Sequence, residues 1–448
     1  LTQKSGRSDF CVICVNFGGS GEAVASNDRA LESRDGTRAR VGYTKYSEYA
    51  PAPMKLARLV LSNYRGFEAL DVTFDPRLTL LVGKNGSGKS SVLDAITTCA
   101  FRSTRLALGK PFGPGGVSMS DVRGGATSAN VISTWLVDGT AYTYEVERMS
   151  PRMDVGAAND ENGRAIPIVT FRVDRARAPT AEVTDTSEPV PAWDDGYFET
   201  EVAFDRLVRW MRSEEDLENQ ERVSRRDLDF ELPSLGAVRR ACRSVLGPEY
   251  SDVRIDRSGG KTALTAEKGG ARLTASQLSD GERNLLGLAA NLARRLVPLA
   301  PAGSSPVDAE AVVLIDEVEL HLHPSWQETI LPRLLETFPH IQIVATTHSP
   351  SVLASIGSTT QVRVLDEGKA YTLRDPVTGR DANALLRDVF GARERPRDAL
   401  ELIELAGRAL DAGALDDARV HTDTLEALCG PNDSEVVRLR LLLDFERA

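Results

Sequence analysis

The chain has 448 residues, 41% hydrophobic and 27% charged, with a formal net charge of -11. That balance excludes fibrous and collagen-like classes and argues against non-specific attraction to nucleic-acid phosphates. No run of about 18 apolar residues and no leader pattern occurs, so a cytoplasmic protein with no membrane partner is expected. Five cysteines, Cys11, Cys14, Cys99, Cys242 and Cys429, read as reduced thiols, and the Cys11/Cys14 pair lacks the two further ligands of a zinc site.

Residues 1–53 are rich in Gly, Ser, Asp, Asn and Arg and end in Ala50-Pro51-Ala52-Pro53. A disordered extension is expected there, with Met54 as the natural start. Strands are then expected over Leu56–Leu61, Leu70–Phe74 and the apolar run Leu78–Val82, followed by Gly83-Lys84-Asn85-Gly86-Ser87-Gly88-Lys89-Ser90 and a helix from Lys89. This octet fits GxxxxGK[ST] in the place where that pattern binds phosphate, between a buried strand and a helix start. Gly83, Gly86 and Gly88 let the backbone N–H groups around Asn85 and Ser87 turn inward, and the helix N-terminus adds its positive end. Lys89 is expected to reach the β- and γ-phosphates and Ser90 to bind Mg²⁺, with Ser91 beside it.

Residues 101–270 read as a mixed strand-and-helix insertion without heptads. Leu278-Ser279-Asp280-Gly281-Glu282 then precedes an amphipathic helix over Arg283–Leu296. The Ser279 hydroxyl and Gly281 N–H stand at a helix N-terminus, an anion-binding end, although alone the pattern is also ordinary capping chemistry. Ala311–Ile315 is continuously apolar, as in a strand buried on both faces, and delivers Asp316 and Glu317 at its carboxyl end, the edge where such sheets bind ligands. Asp316 is the candidate for the Mg²⁺ shell and Glu317 for polarising the attacking water. A second buried strand, Ile341–Ala345, runs into Thr346-Thr347-His348-Ser349-Pro350. His348 thereby falls at the same edge, where an imidazole can bond the γ-phosphate or the water. Alternating strands and helices up to Arg374 predict a parallel sheet covered by helices. His321 and His323, at i, i+2 with no third ligand, read as loop packing. From Arg397 to Ala448, two or three amphipathic helices are expected to bury Leu402, Leu405, Ala409, Val436, Leu439 and Leu443, with breaks at Gly413 and Gly430-Pro431-Asn432.

In this order, GKNGSGKS, LSDGE, VVLIDE and TTHSP resemble the ABC-type ATPases of chromosome maintenance and recombination, over Met54–Arg374. The resemblance implies an α/β P-loop NTPase fold: an ABC-type head at 54–374, a mixed α+β insertion at 101–270 and a C-terminal helical hairpin region at 375–448. It implies ATP and Mg²⁺ as cofactors and an ATP-dependent homodimer, in which Ser279 and Gly281 of one copy reach the γ-phosphate held by Lys89 of the other. Asn63-Tyr64-Arg65-Gly66-Phe67 resembles the element that touches nucleotide in these relatives and nominates Arg65. The glutamine such ATPases carry has no counterpart from Lys89 to Asn219. Asp121 stands in as candidate Mg²⁺ or water ligand, and slow turnover is expected.

Glu317–Pro324, Trp210-Met211-Arg212 with Glu215–Asn219, and the tail from Asp381-Ala382-Asn383 to Glu394-Arg395-Pro396 narrow the resemblance to the ATPases of Septu-type and retron-linked anti-phage systems. That resemblance implies an HNH-type nuclease partner, higher oligomers as an open option, and DNA within reach only through the complex. The competing reading is a repair clamp that closes on duplex DNA, against which the acidic balance weighs.

Overall fold

The computed structural model describes residues 54–107, 117–149, 153–157, 165–173, 204–258, 262–301, 304–357, 360–373, 376–391 and 395–446. The expected extension at 1–53, with Cys11 and Cys14, lies outside the described residues. Two compact units divide between Thr378 and Gly379, four residues beyond the expected limit at 374.

The first unit opens with the antiparallel pair β1 (Lys55–Tyr64) and β2 (Phe67–Thr73), then β3 (Leu78–Val82) and helix α1 (Lys89–Ala107). Next come β4 (Ser128–Val137), β5 (Thr140–Met149), β6 (Met153–Ala157) and the short β7 (Ile168–Phe171). Helices α2 (Phe204–Arg225) and α3 (Pro233–Leu246) lead to β8 (Tyr250–Asp256), β9 (Ala263–Lys268) and β10 (Ala271–Thr274). The unit continues with α4 (Asp280–Leu296), β11 (Val312–Ile315), α5 (Pro324–Gln327), α6 (Ile330–Thr337), β12 (Gln342–Thr347), α7 (Pro350–Ser355), β13 (Gln361–Asp366) and β14 (Lys369–Thr372).

These strands make three sheets: β2-β1-β4-β5-β6, β10-β9-β8, and β14-β13-β3-β12-β11-β7. In the last, β13, β3, β12, β11 and β7 run parallel, as expected, while β14 turns back antiparallel at the edge. The apolar runs in β3, β11 and β12 are buried throughout because helices cover both faces. The position of β7 departs from expectation: it comes from the middle of the supposed insertion, yet completes the main sheet beside β11. Residues 101–270 are therefore not one insertion.

Helix α1 packs on β4 and β5 on one side and on β7 and β12 on the other. It is buried from Val92 to Thr104, as a helix enclosed between two sheets must be. Gln342, fully buried on β12, ties the sheets together: its amide donates to the Leu56 and Asp75 carbonyls (2.8 and 2.7 Å) and its Oε1 accepts the Leu56 N–H (2.7 Å).

The residues Glu215–Asn219, singled out in the sequence, lie on α2 and work as a brace. Glu218 accepts the Leu232 N–H at 2.8 Å and pairs with Arg239 of α3, and Glu215 accepts the Ile255 N–H of β8 at 2.9 Å.

The second unit holds α8 (Ala382–Asp388), α9 (Arg397–Asp411), α10 (Leu415–Cys429) and α11 (Ser434–Phe445). The expected hairpin is thus three packed helices after α8. On α9 the buried face is Ala399, Leu402, Ile403, Ala406 and Leu410, packed with Leu425, Val436 and Leu439. Leu405, expected inside, is 40% exposed.

Candidate active site

The loop between β3 and α1 needs its glycines. Gly83, Gly86 and Gly88 have φ of 149°, 81° and 95°, a region open to Gly at little cost. A side chain on Gly83 would run into the Leu365 carbonyl, and one on Gly88 into the Phe67 ring. Lys89 is 6% exposed. Its Nζ folds over the loop and donates to the Gly83 and Lys84 carbonyls at 2.9 and 3.0 Å. Burial pushes the ammonium down from its usual value, while Asp316, Glu317 and Glu319 pull it back up. Ser87 Oγ is buried without a partner inside the cradle, and Asn85 and Ser90 are exposed at its mouth.

The register of the parallel sheet brings the expected acids to the same edge. Thr347 pairs with Val82 and Ile315 with Ala345, so the residues that follow, His348 and Asp316, flank the cradle. Asp316 is buried at 6% exposure, and its Oδ1 accepts the Thr346 hydroxyl at 2.6 Å. The same hydroxyl accepts the Glu317 N–H at 2.7 Å. Glu317 has a φ of 47°, an uncommon left-handed conformation for a glutamate that surrounding bonds must hold. His348 is half-buried; burial and then Lys89 hold its imidazole below the usual value, against the opposing pull of Glu319, Glu317 and Asp316. The ring is therefore neutral at neutral pH.

Arg65 and Asp121 meet, but not as expected. Arg65 Nε donates to Asp121 Oδ1 at 2.8 Å, and Arg65 also donates to Asp94 of α1 at 2.6 Å and to Ser91 Oγ at 3.5 Å. The other Asp121 oxygen accepts the Ser118 N–H and hydroxyl at 2.8 and 2.7 Å. Burial pushes the Asp121 carboxyl up, but the bonds from Ser118 and Arg65 outweigh it and hold it below the usual range. With both oxygens engaged, Asp121 orients Arg65 in this structure and does not stand open as the metal ligand it was expected to be.

Ser279 caps α4: its hydroxyl accepts the Glu282 N–H at 3.4 Å while Glu282 returns the bond to the Ser279 N–H at 2.7 Å, a capping box. Glu282 is also gripped by Tyr250 and Lys268 from the small sheet. Ser279 is exposed, whereas Gly281 is buried, and a Cβ on it would lie 2.8 Å from the His321 carbonyl. The structure thus unites Lys89, Asp316, Glu317 and His348, and leaves Ser279 at an outward-facing helix end. Among the described residues no metal-ligating cluster forms; His323 Nδ1 bonds Ser325 Oγ at 2.9 Å, the loop role expected for it. Sequence reasoning missed Thr346, Glu319, Asp94 and Arg172, the last pairing with Asp94 from the end of β7. For Thr346 the signal was available, since a hydroxyl one strand over from an acidic pair is a ready bonding partner.

Strand order, phosphate cradle and acidic edge define a P-loop ATPase with an ABC-type head. The family described as "AAA domain, putative AbiEii toxin, Type IV TA system" matches residues 160–354, and another described as "AAA domain" matches residues 58–178. The chain is 27% identical to the Retron Ec83 probable ATPase of Escherichia coli, covering 87% of this chain and 87% of that protein. It is 24% identical to the Retron Vc95 probable ATPase of Vibrio cholerae serotype O1 biovar El Tor, over 86% and 84% respectively. A Septu protein PtuA of Bacillus mycoides (strain KBAB4) is 33% identical across 28% of this chain and 18% of its own length. The resemblance to retron and Septu ATPases read from the sequence is borne out. Among the described residues no helix is long and apolar enough to cross a membrane.

Proposed function

We propose that this chain is an ATP-driven switch whose two nucleotide sites are completed when two copies meet face to face, and that it controls a nuclease in anti-phage defence. One observation supports the reading most. The cis residues Lys89, Asp316, Glu317 and His348 converge within electrostatic reach of one another, while Ser279 points its helix end at solvent. A helix N-terminus of this kind favours an anion, and in a facing copy that anion is the γ-phosphate.

The residues fit nucleotide and Mg²⁺. Ser87 Oγ is an orphaned buried donor in the cradle, and Ser90 and Asp316 supply the oxygen ligands Mg²⁺ prefers. Mg²⁺ held by Ser90 and Asp316 would offset the negative charge that develops on the phosphates during transfer. In this reading Lys89 leaves the Gly83 and Lys84 carbonyls for the phosphates. Glu317 orients the attacking water, and neutral His348 donates to the γ-phosphate or accepts from the water. Arg65 is held at the cradle's flank by Asp121 and Asp94. The partner is an HNH-type nuclease, for which Val437, Leu441 and Phe445, exposed at 43%, 65% and 78% along one side of α11, form the docking face. The relatives' names, retron ATPase and Septu protein, support the defence setting.

The test is Glu317→Gln in the full chain, with light scattering on ATP and turnover measured together. It should accumulate as an ATP-bound dimer with hydrolysis abolished. A variant that hydrolyses normally removes Glu317 from the chemistry, and a monomer that binds ATP without pairing removes the shared site.

A further inference from the structure

We infer that Glu319 is a positioning residue for hydrolysis: one carboxylate oxygen fixes the main chain of His348 while the other, buried and unbonded, faces the same polar edge of the sheet. The inference rests on the reading of His348 as part of the hydrolytic site.

His348 follows the last residue of β12, so its N–H stands beyond the sheet's ladder, where a backbone donor must find another partner. Glu319 supplies it from the neighbouring connection, with Oε1 accepting the His348 N–H at 2.5 Å. The carboxylate reaches that far because the chain after Glu317 winds tightly: the Leu320 N–H bonds the Glu317 carbonyl and the Leu322 N–H the Glu319 carbonyl, both at 2.9 Å. The opposite wall is also fastened, since the Ser349 N–H bonds Thr347 Oγ1 at 3.0 Å. His348 is thus fixed on both sides of its Cα, which sets the direction from which its ring enters the site.

The second oxygen, Oε2, is buried with no partner. A carboxylate left half-bonded inside a protein is costly, and such groups are few in native structures. Its surroundings explain its retention. Of the three carboxylates acting on His348, Glu319 exerts the strongest pull, and it acts on Lys89 as well. Glu319 therefore joins the acidic connection after β11 to the histidine after β12, two elements that the sheet itself links only through their strands.

The test is a double-mutant cycle in the full-length chain, with steady-state ATP turnover, ATP binding and thermal denaturation measured on each variant. Glu319→Ala should lower kcat about tenfold or more with KM for ATP within about twofold of the parent, because the cradle is untouched. Glu319→Gln, which keeps an acceptor oxygen, should recover most of that loss. Glu319→Asp keeps the charge but shortens the reach to His348, so it should behave like the alanine and replaces it in the cycle should the alanine variant not fold. In a His348→Ala background the Glu319 substitution should cost less than about twofold more, since the two residues act as one unit. An equal loss with and without His348 overturns the inference while leaving the role of His348 standing. A His348→Ala enzyme with parental kcat defeats the underlying reading, and the inference with it.

Discussion

Thr346 offers a sharp test of how the acidic edge is held. The residue is 0% exposed, and its single hydroxyl donates to Asp316 Oδ1 at 2.6 Å and accepts the Glu317 N–H at 2.7 Å. Thr346→Val keeps the shape of the side chain and removes both bonds. Loss of a hydrogen bond to a charged group costs about 1.5–3 kcal/mol, and a buried N–H left orphaned about 1–3 kcal/mol. The added buried methyl returns about 1 kcal/mol, so a net destabilisation of roughly 2–4 kcal/mol is expected. The larger effect should fall on turnover. Glu317 sits at a φ of 47°, a conformation that costs of order 1–3 kcal/mol and persists only where neighbours enforce it. Freed from Thr346, its backbone relaxes, and a displacement near 1 Å at a reacting group costs about 100-fold. The assay is ATP hydrolysis beside nucleotide affinity and thermal denaturation. The expected result is kcat down about 10- to 100-fold, affinity nearly unchanged, and Thr346→Ser close to the parent. Parental turnover by the valine variant, folded and binding ATP, would show that the hydroxyl bridge does not position Glu317.

Two further outcomes concern the Ser279 end. Ser279→Ala removes an exposed hydroxyl whose cap is worth about 1 kcal/mol, so it should leave the monomer stable while weakening ATP-dependent pairing, measured by light scattering. Gly281→Ala should instead destabilise the single chain in thermal denaturation, because its Cβ would stand 2.8 Å from the His321 carbonyl. A Gly281 variant as stable as the parent would contradict that packing. Glu282 supplies a pH test. Burial pushes its carboxyl up, but Lys268, Tyr250 and Ser279 outweigh that and hold it at about 2 against an ordinary 4.5. A depressed carboxylate contributes stability in full above its unfolded value and loses it as pH falls through the folded one, so this contribution fades between pH 4.5 and about 2. Lys268→Met leaves burial less opposed and brings the folded value nearer 4.5, so melting temperature should be lower at neutral pH and fall less steeply below pH 4.5 than in the parent. Superimposable acid profiles would exclude Lys268 as the cause.

Much of this site was legible in the sequence for a simple reason: the strands that carry it are buried on both faces. A continuous apolar run such as Val312–Ile315 has no register ambiguity, and whatever polar residues follow it emerge at one edge. The cradle was equally plain because glycines at positive φ cannot be replaced. What stayed hidden depended on partners distant in the chain. Arg65 and Asp121 are separated by 56 positions, and nothing in Ser120-Asp121-Val122 distinguishes a metal ligand from the anchor of an arginine. β7 is four residues long, too short to show a period, so its place in the main sheet could not be read. On α9 two apolar stripes overlap at Leu402, the expected Leu402-Leu405-Ala409 and the packed Ala399-Leu402-Ile403-Ala406-Leu410. Close packing against the neighbouring helices selected the one with alanines at its centre.

The bonds around the Glu317–His323 connection tie the hydrolytic edge to the surface end of α4 within one chain. Glu317 is held by Thr346, and Glu319 holds His348. One residue on, the Leu320 carbonyl accepts Asn284 Nδ2 of α4 at 2.7 Å, and the next carbonyl, of His321, lies against Gly281. Closely packed, hydrogen-bonded segments transmit small displacements because they have few intermediate arrangements. In the proposed dimer, each copy's Ser279 serves the other copy's nucleotide, so a shift of Glu317 or His348 at one site moves the group that completes its twin. In that dimer the two sites are then linked through the Glu317–His321 connection of each chain as well as across the interface.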